Sequence, residues 1–181
     1  RNGDKILEAC EQIAERAIAQ PLPPPSENGY TRLFMTNTRG SDNFISNQLF
    51  EKYYWPTAKK VIMSRIELGG TMCIFFEGDF TKKLEYLLEL PKGKIIVRLD
   101  STDIHKAKEI LGGHHCIQGN IPSTVLQAGT VDDVKAYCKT LIDDIGKDGG
   151  FILSPRSSTD EVKPENLKAM IDFTHEYGVY N

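Results

Sequence analysis

Two hydrophobic periods alternate along this chain, and their alternation predicts the architecture. Ile6, Leu7, Cys10, Ile13, Ala14, Ala17 and Ile18 recur at helical spacing, with Asp4 placed as an N-cap. Residues 20–29 contain four prolines and read as a Pro-rich loop. Leu33-Phe34-Met35 is a short buried strand, followed by a glycine-containing loop from Thr38 to Asn43. Ser46 then caps a long helix reaching about Ile66, in which Pro56 predicts a kink or a break. Further strands are predicted at Thr71 to Phe76, Ile95 to Leu99, Cys116 to Gln118 and Phe151 to Leu153. Between them lie a helix from Thr81, capped by Asp79 or Thr81, and one capped by Thr102 or Asp103 and ended by Gly112-Gly113. A capping box at Thr130-Val131-Asp132-Asp133 opens a helix to Ile145 that Gly146 closes. Pro164 opens the last helix and Gly178 ends it.

Strand and helix thus alternate five times with few hairpin signals, the pattern of parallel βαβ units. Such units close into a barrel or form a doubly wound sheet. The glycine fingerprints of dinucleotide and phosphate loops are missing, which favours the barrel. A full eight-stranded barrel takes roughly 250 residues, so a chain of 181 holds about five of its units. The expected class is therefore α/β, with residues 1–181 forming one domain, the C-terminal part of a TIM-type barrel.

Composition narrows the function classes. The formal net charge is −3 with no basic run, which argues against a nucleic-acid surface or an anionic membrane partner. No apolar run approaches the ~20 residues of a membrane span. Cys10, Cys73, Cys116 and Cys138 lack paired metal-ligand spacing and read as small buried hydrophobes, so a cytoplasmic setting is expected. The chain opens on Arg1 almost directly at a helical pattern, which suggests a processed or trimmed beginning.

Candidate chemistry gathers where strands end. Phe75-Phe76-Glu77-Gly78-Asp79 places two carboxylates around a glycine at the carboxyl end of a buried strand, and Asp100 and Asn120 end the next two. In parallel α/β folds that edge carries ligands and catalysis. Glu77, after two phenylalanines, is read as a catalytic acid–base group or metal ligand. Asp100 is either a second catalytic carboxylate or a turn-stabilising one. Asp79 reads as a helix cap or a substrate contact, Asn120 as a loop tie or a substrate contact. Arg156, after the last strand, is placed to hold a substrate carboxylate or phosphate, or to stay solvated. His114 and His115 precede a strand, on the stability face of a barrel, and read as structural. Trp55, Tyr53 and Tyr54 are expected to pack against the barrel.

Several motifs resemble one family. Arg39-Gly40-Ser41, Phe44-Ile45-Ser46 and the segment Phe50 through Pro56 look like the segment after a mid-barrel strand of the uroporphyrinogen decarboxylase superfamily. Glu77-Gly78-Asp79 is similar to its next strand end, and Asp100-Ser101-Thr102-Asp103 resembles its Asp-Trp-Thr-like motif. Gln118-Gly119-Asn120-Ile121-Pro122 resembles its Gly-Asn-x-x-Pro signature, and Gly149 to Ser154 with the helix from Pro164 looks like its closing unit. The resemblance implies a barrel whose N-terminal strands are not in this chain. It also implies either cofactor-free porphyrinogen decarboxylation or methyl transfer through a corrinoid protein, often with zinc.

Glu77-Gly78-Asp79 and the segment Leu88 to Lys94 look most like the corrinoid-dependent methyltransferase branch. That implies a small O- or N-methylated donor, a corrinoid on a partner protein, and a site that admits a metal. The zinc-dependent members carry His-x-Cys where this chain has Phe75-Phe76-Glu77, and a further Cys near Ser157, so a thiolate zinc site is not expected. The decarboxylases place a histidine where this chain has Arg156-Ser157-Ser158. The alternatives are a decarboxylase and a non-catalytic half-barrel binding module. With too few strands to close, the piece is expected to be inert alone. Its inner face, rich in Ile, Leu and Phe, should associate with a second copy or with the rest of the barrel, and Pro21 to Pro25 form a flexible boundary.

Overall fold

The computed structural model describes residues 2–157 and 159–179; the expectations that involve Arg1 and Ser158 lie outside them. Five strands, β1 (Thr31–Asn37), β2 (Gly70–Phe76), β3 (Ile95–Leu99), β4 (Cys116–Ile121) and β5 (Phe151–Pro155), form one sheet in sequence order. Every neighbouring pair is parallel. Helical segments fill each crossover, as the alternating periods predict. The sheet ends in two unpaired edges, β1 and β5.

The helices in chain order are α1 (Gly3–Ala19), α2 (Asn47–Leu49), α3 (Trp55–Glu67), α4 (Ile104–Leu111), α5 (Ser123–Ala128), α6 (Val131–Leu141) and α7 (Pro164–Tyr177). The cap of α1 falls on Asn2 rather than Asp4, which sits in the first turn and favours the helix dipole there. Ser46 caps α2 through the Leu49 N–H, and Asp103 caps α4 through the N–H groups of His105 and Lys106. The capping box at Thr130 and Asp133 is complete.

Departures from ideal helix have local causes. The path from Ser46 to Glu67 is broken by a π turn, Phe50–Tyr54, immediately before Pro56 enters the first turn of α3. Proline brings no N–H to the ladder, and the wider turn absorbs the mismatch. The segment Thr81–Glu89 is 3₁₀ rather than α. Leu84, Leu87 and Leu90 recur every third residue and are all buried, and a three-residue turn puts them on one face. A second π turn, Ile142–Gly146, closes the helix begun by α6.

The two faces of the sheet differ. Met72, Ile74 and Phe76, Ile95, Val97 and Leu99, and Ile117 and Ile121 are buried in one core with the helices. Alternate positions on the other face stay half-buried or exposed, with Phe34 60% and Ile152 41% accessible. That face is less apolar than the strand composition suggests. Its register aligns Thr36, Phe75, Arg98, Gln118 and Ile152 in one row and Phe34, Cys73, Ile96 and Cys116 in another. Arginine, glutamine and two cysteines therefore share a surface expected to hold Ile, Leu and Phe.

Candidate active site

Buried polar groups need partners, and at the carboxyl ends of the strands they find them across the sheet. Asp100, just past β3, accepts the Gly78 N–H at 2.9 Å and the Ser101 hydroxyl at 3.2 Å. Asn120 in β4 is buried, and its Nδ2 donates to the carbonyls of Asp100 and Thr102, each at 3.0 Å. Arg156, just past β5, donates from Nε to the Asn120 carbonyl at 3.4 Å, and its backbone N–H goes to the Ile121 carbonyl. Thr102, also buried, donates to the Gly78 carbonyl and accepts the Phe80 N–H. Gly78, Asp100, Asn120 and Arg156 thus form a hydrogen-bonded rim linking β2 to β5.

The loop after β1 is tied to the same rim. Asp42 donates its N–H to the Asp79 carbonyl, and its carboxylate takes the Lys83 ammonium at 2.5 Å and the Lys82 N–H at 2.9 Å. Lys83 also donates to the Ile45 carbonyl and lies 5.5 Å from the Phe50 ring centroid. Its side chain is 1% exposed and that of Asp42 7%. The sequence pattern does not single out this pair, because a lysine at a helix start ordinarily faces solvent. A charged residue flanked by buried leucine positions is the one signal that points to it.

Each residue singled out at the strand ends has a distinct place. Asp79 accepts both the N–H and the hydroxyl of Thr81, so it holds the start of the 3₁₀ segment. Asp100 and Asn120 are occupied with backbone groups, and Arg156 touches the Asn120 carbonyl. Glu77 differs. Its backbone N–H joins the Asn37 carbonyl, while its exposed carboxylate makes no hydrogen bond or ion pair among the described residues. The two preceding aromatics do not enclose it: Phe76 is buried in the core, and Phe75 lies on the opposite face beside Arg98. Gly78 carries φ +91, and a Cβ there would lie 3.1 Å from the Ser41 Cβ, so only glycine allows the turn that presents Glu77.

The donor set does not make a zinc site. Among the described residues no group of three or more His, Cys, Asp and Glu side chains is placed to hold a metal ion. Cys73 and Cys116 on the open face are held as thiols by burial; Arg98 pulls Cys73 partly back down, and Cys73 pushes Cys116 further up. Burial drives Cys138 up to about 11. All four cysteines are free, and only Cys138 is fully buried, against the expectation that all four pack inside. A metal held by Glu77 would need its other ligands from outside these residues.

His114 and His115 lie at the opposite, amino ends of the strands, where they line an open cavity of about 600 Å³ with Lys92, Lys108 and Asp148. Their Nε2 atoms meet the carbonyls of Leu90 and Leu87, which staple the strand start to the 3₁₀ segment, as the structural reading predicts. Burial lowers the affinity of His115 for a proton; the Leu87 carbonyl opposes this and His114 adds to it. The unfolded chain therefore binds a proton near the ordinary 6.5 that the folded chain resists. The resulting stability is fully present above that pH and is lost as pH falls through it towards the lower folded value. Urea midpoints between pH 7.5 and 5 should show this loss, and His115→Gln should flatten it; an unchanged slope in the variant would assign the loss elsewhere.

Three comparisons bear on this site. A family model described as "Uroporphyrinogen decarboxylase (URO-D)" matches residues 7–177. The chain is 23% identical over 166 residues to a uroporphyrinogen decarboxylase of Syntrophotalea carbinolica, covering 91% of this chain and 47% of that protein. It is 35% identical over 78 residues to the uroporphyrinogen decarboxylase of Chlorobium phaeovibrioides, covering 41% of this chain and 22% of that protein. The chain therefore spans about half or less of the curated relatives it matches. Among solved structures, a methyltransferase from Methanosarcina mazei superposes with a TM-score of 0.67 at 18% identity, covering 82% of this chain and 42% of that one. That likeness is one of fold.

Proposed function

We propose, from the premise that this chain belongs to the uroporphyrinogen decarboxylase (URO-D) family, that its rim serves a cytoplasmic methyltransferase. The enzyme moves a methyl group from a small O- or N-methylated donor to a corrinoid carried by a partner protein. In the complete polypeptide this chain is the C-terminal part of the barrel, and its open face is covered by the remaining strands; alone, it self-associates and is inert. The reading rests on one observation: Glu77 is a free carboxylate at a strand end whose surroundings are otherwise fixed by hydrogen bonds.

An ether or amine leaves poorly as a bare alkoxide or amide, so its oxygen or nitrogen must take a proton as the C–O or C–N bond breaks. The corrinoid supplies the nucleophile that accepts the methyl group. Glu77 is the side chain that passes a proton to the leaving atom. Asp100 positions the Gly78 N–H and so holds the turn that carries Glu77. Asn120 fixes the backbone on which Asp100 sits. Asp79 keeps the following segment in place, and Arg156 is the cation closest along the chain to the last strand end.

The curated relatives named above give a second reading, decarboxylation of a porphyrinogen. One assay separates them. The complete polypeptide is mixed with cob(I)alamin and either anisole or para-methoxybenzoate, and separately with uroporphyrinogen, and the products are identified. Methylated corrinoid in the first mixture, with uroporphyrinogen intact in the second, is the expected result. Carbon dioxide release in the second with no methyl transfer in the first would establish the decarboxylase instead.

A further inference from the structure

Among the described residues Arg98 is a cation without an ion-pair partner. It lies in β3 on the open face of the sheet, opposite Phe75 in β2 and Gln118 in β4 by strand register. Its guanidinium carbon sits over the Phe75 ring, 4.7 Å from the centroid. Its Nε is buried and has no hydrogen-bond partner, and among the described residues it forms no ion pair. The nearest carboxylate along the strand, Asp100, is taken by Gly78 and Ser101.

Gln118 adds the second half of the pattern. Its Oε1 accepts the Cys73 thiol at 3.7 Å, which leaves the two donors of its amide nitrogen on the neighbouring strand, in the same row as Arg98. Donors on one face beside an aromatic wall suit a planar carboxylate: a guanidinium takes one in a two-point contact. The buried Nε of a half-buried guanidinium finds no partner among the described residues, which leaves its donors for an anion that arrives.

We propose that Arg98 and Gln118 bind the carboxylate of the substrate inside the barrel, so that the methyl donor is an anionic, carboxylated molecule. This rests on the methyltransferase reading above and narrows its substrate class. Phe75 would lie along the ring or chain of the donor. Arg98 occupies the inward row one step below Asp100, which leaves room for the donor's other end to reach the strand-end rim that carries Glu77.

The test measures binding apart from turnover. Para-methoxybenzoate and the neutral para-methoxybenzyl alcohol are titrated into the complete polypeptide by calorimetry. The wild type should prefer the carboxylate, and Arg98→Gln should weaken its binding about 10- to 100-fold while leaving the alcohol unchanged, as expected for one charge-assisted contact. Arg98→Lys should restore part of the loss. Gln118→Glu keeps the shape but supplies Arg98 with an internal anion, and should abolish the preference even if Arg98→Gln fails to fold. Three outcomes would overturn the proposal: no preference in the wild type, equal loss of both probes in Arg98→Gln, or a lowered melting temperature with the preference intact. The last would mean that Arg98 pairs with an acid of the protein itself. A carboxylate preference without methyl transfer to cob(I)alamin would leave this site standing and refute the methyltransferase reading alone.

Discussion

Replacing Lys83 by methionine should destabilise the fold by about 3–5 kcal/mol, a melting-temperature drop on the order of 10 °C. The reason is the partner left behind. Asp42 would stay buried with its negative charge met only by the Lys82 N–H, since its ion pair with the ammonium is gone. Two charges taken out of water need each other more than the fold needs the pair, so Lys83→Met combined with Asp42→Asn should recover part of the loss. Urea denaturation of the complete polypeptide measures both variants. A single-variant loss below about 1 kcal/mol would show the pair to be as dispensable as an exposed one.

Glu77→Gln should lower turnover by about two orders of magnitude or more, with donor binding little changed. Glutamine keeps the size and the exposed position, so the strand end should not rearrange; only the proton is lost. Among the described residues the Glu77 carboxylate has no hydrogen-bond or ion-pair partner, whereas Asp100 is committed to the Gly78 turn. Asp100→Asn is thus expected to act through Glu77 rather than beside it, and the double variant should be little worse than Glu77→Gln alone. Steady-state rates with saturating donor decide this, and an unchanged rate in Glu77→Gln would give the residue a structural role.

Strands and caps were legible because their signals are local. Thr130 and Asp133 satisfy each other within one turn, and a run such as Thr71 to Phe76 has few alternatives to a buried strand. The π turn before Pro56 and the 3₁₀ segment at residues 81–89 depend instead on how aromatics and leucines meet the sheet, which no local period states. The short helix α5 after Pro122 was likewise unmarked. At the site, the glycine and carboxylates of residues 77–79 were visible, but which carboxylate stays free was not. Asp79 is taken up locally by Thr81, but the engagement of Asp100 depends on the Gly78 N–H reaching it across 22 residues. A single arginine in a strand carries no sequence signal of its role, and only the register places Arg98 in a row with Phe75 and Gln118.

The central claim is that Glu77 delivers a proton to the leaving atom during methyl transfer. It is tested most directly by comparing wild type and Glu77→Gln on two carboxylated methyl ethers, para-methoxybenzoate and 4-methoxy-3-nitrobenzoate, with cob(I)alamin as acceptor. The nitro-substituted phenolate leaves readily without a proton and the unsubstituted one does not, so the variant should lose about 100-fold or more on para-methoxybenzoate and far less on 4-methoxy-3-nitrobenzoate. Equal losses on the two ethers would contradict proton delivery by Glu77 and, with it, this account of the site.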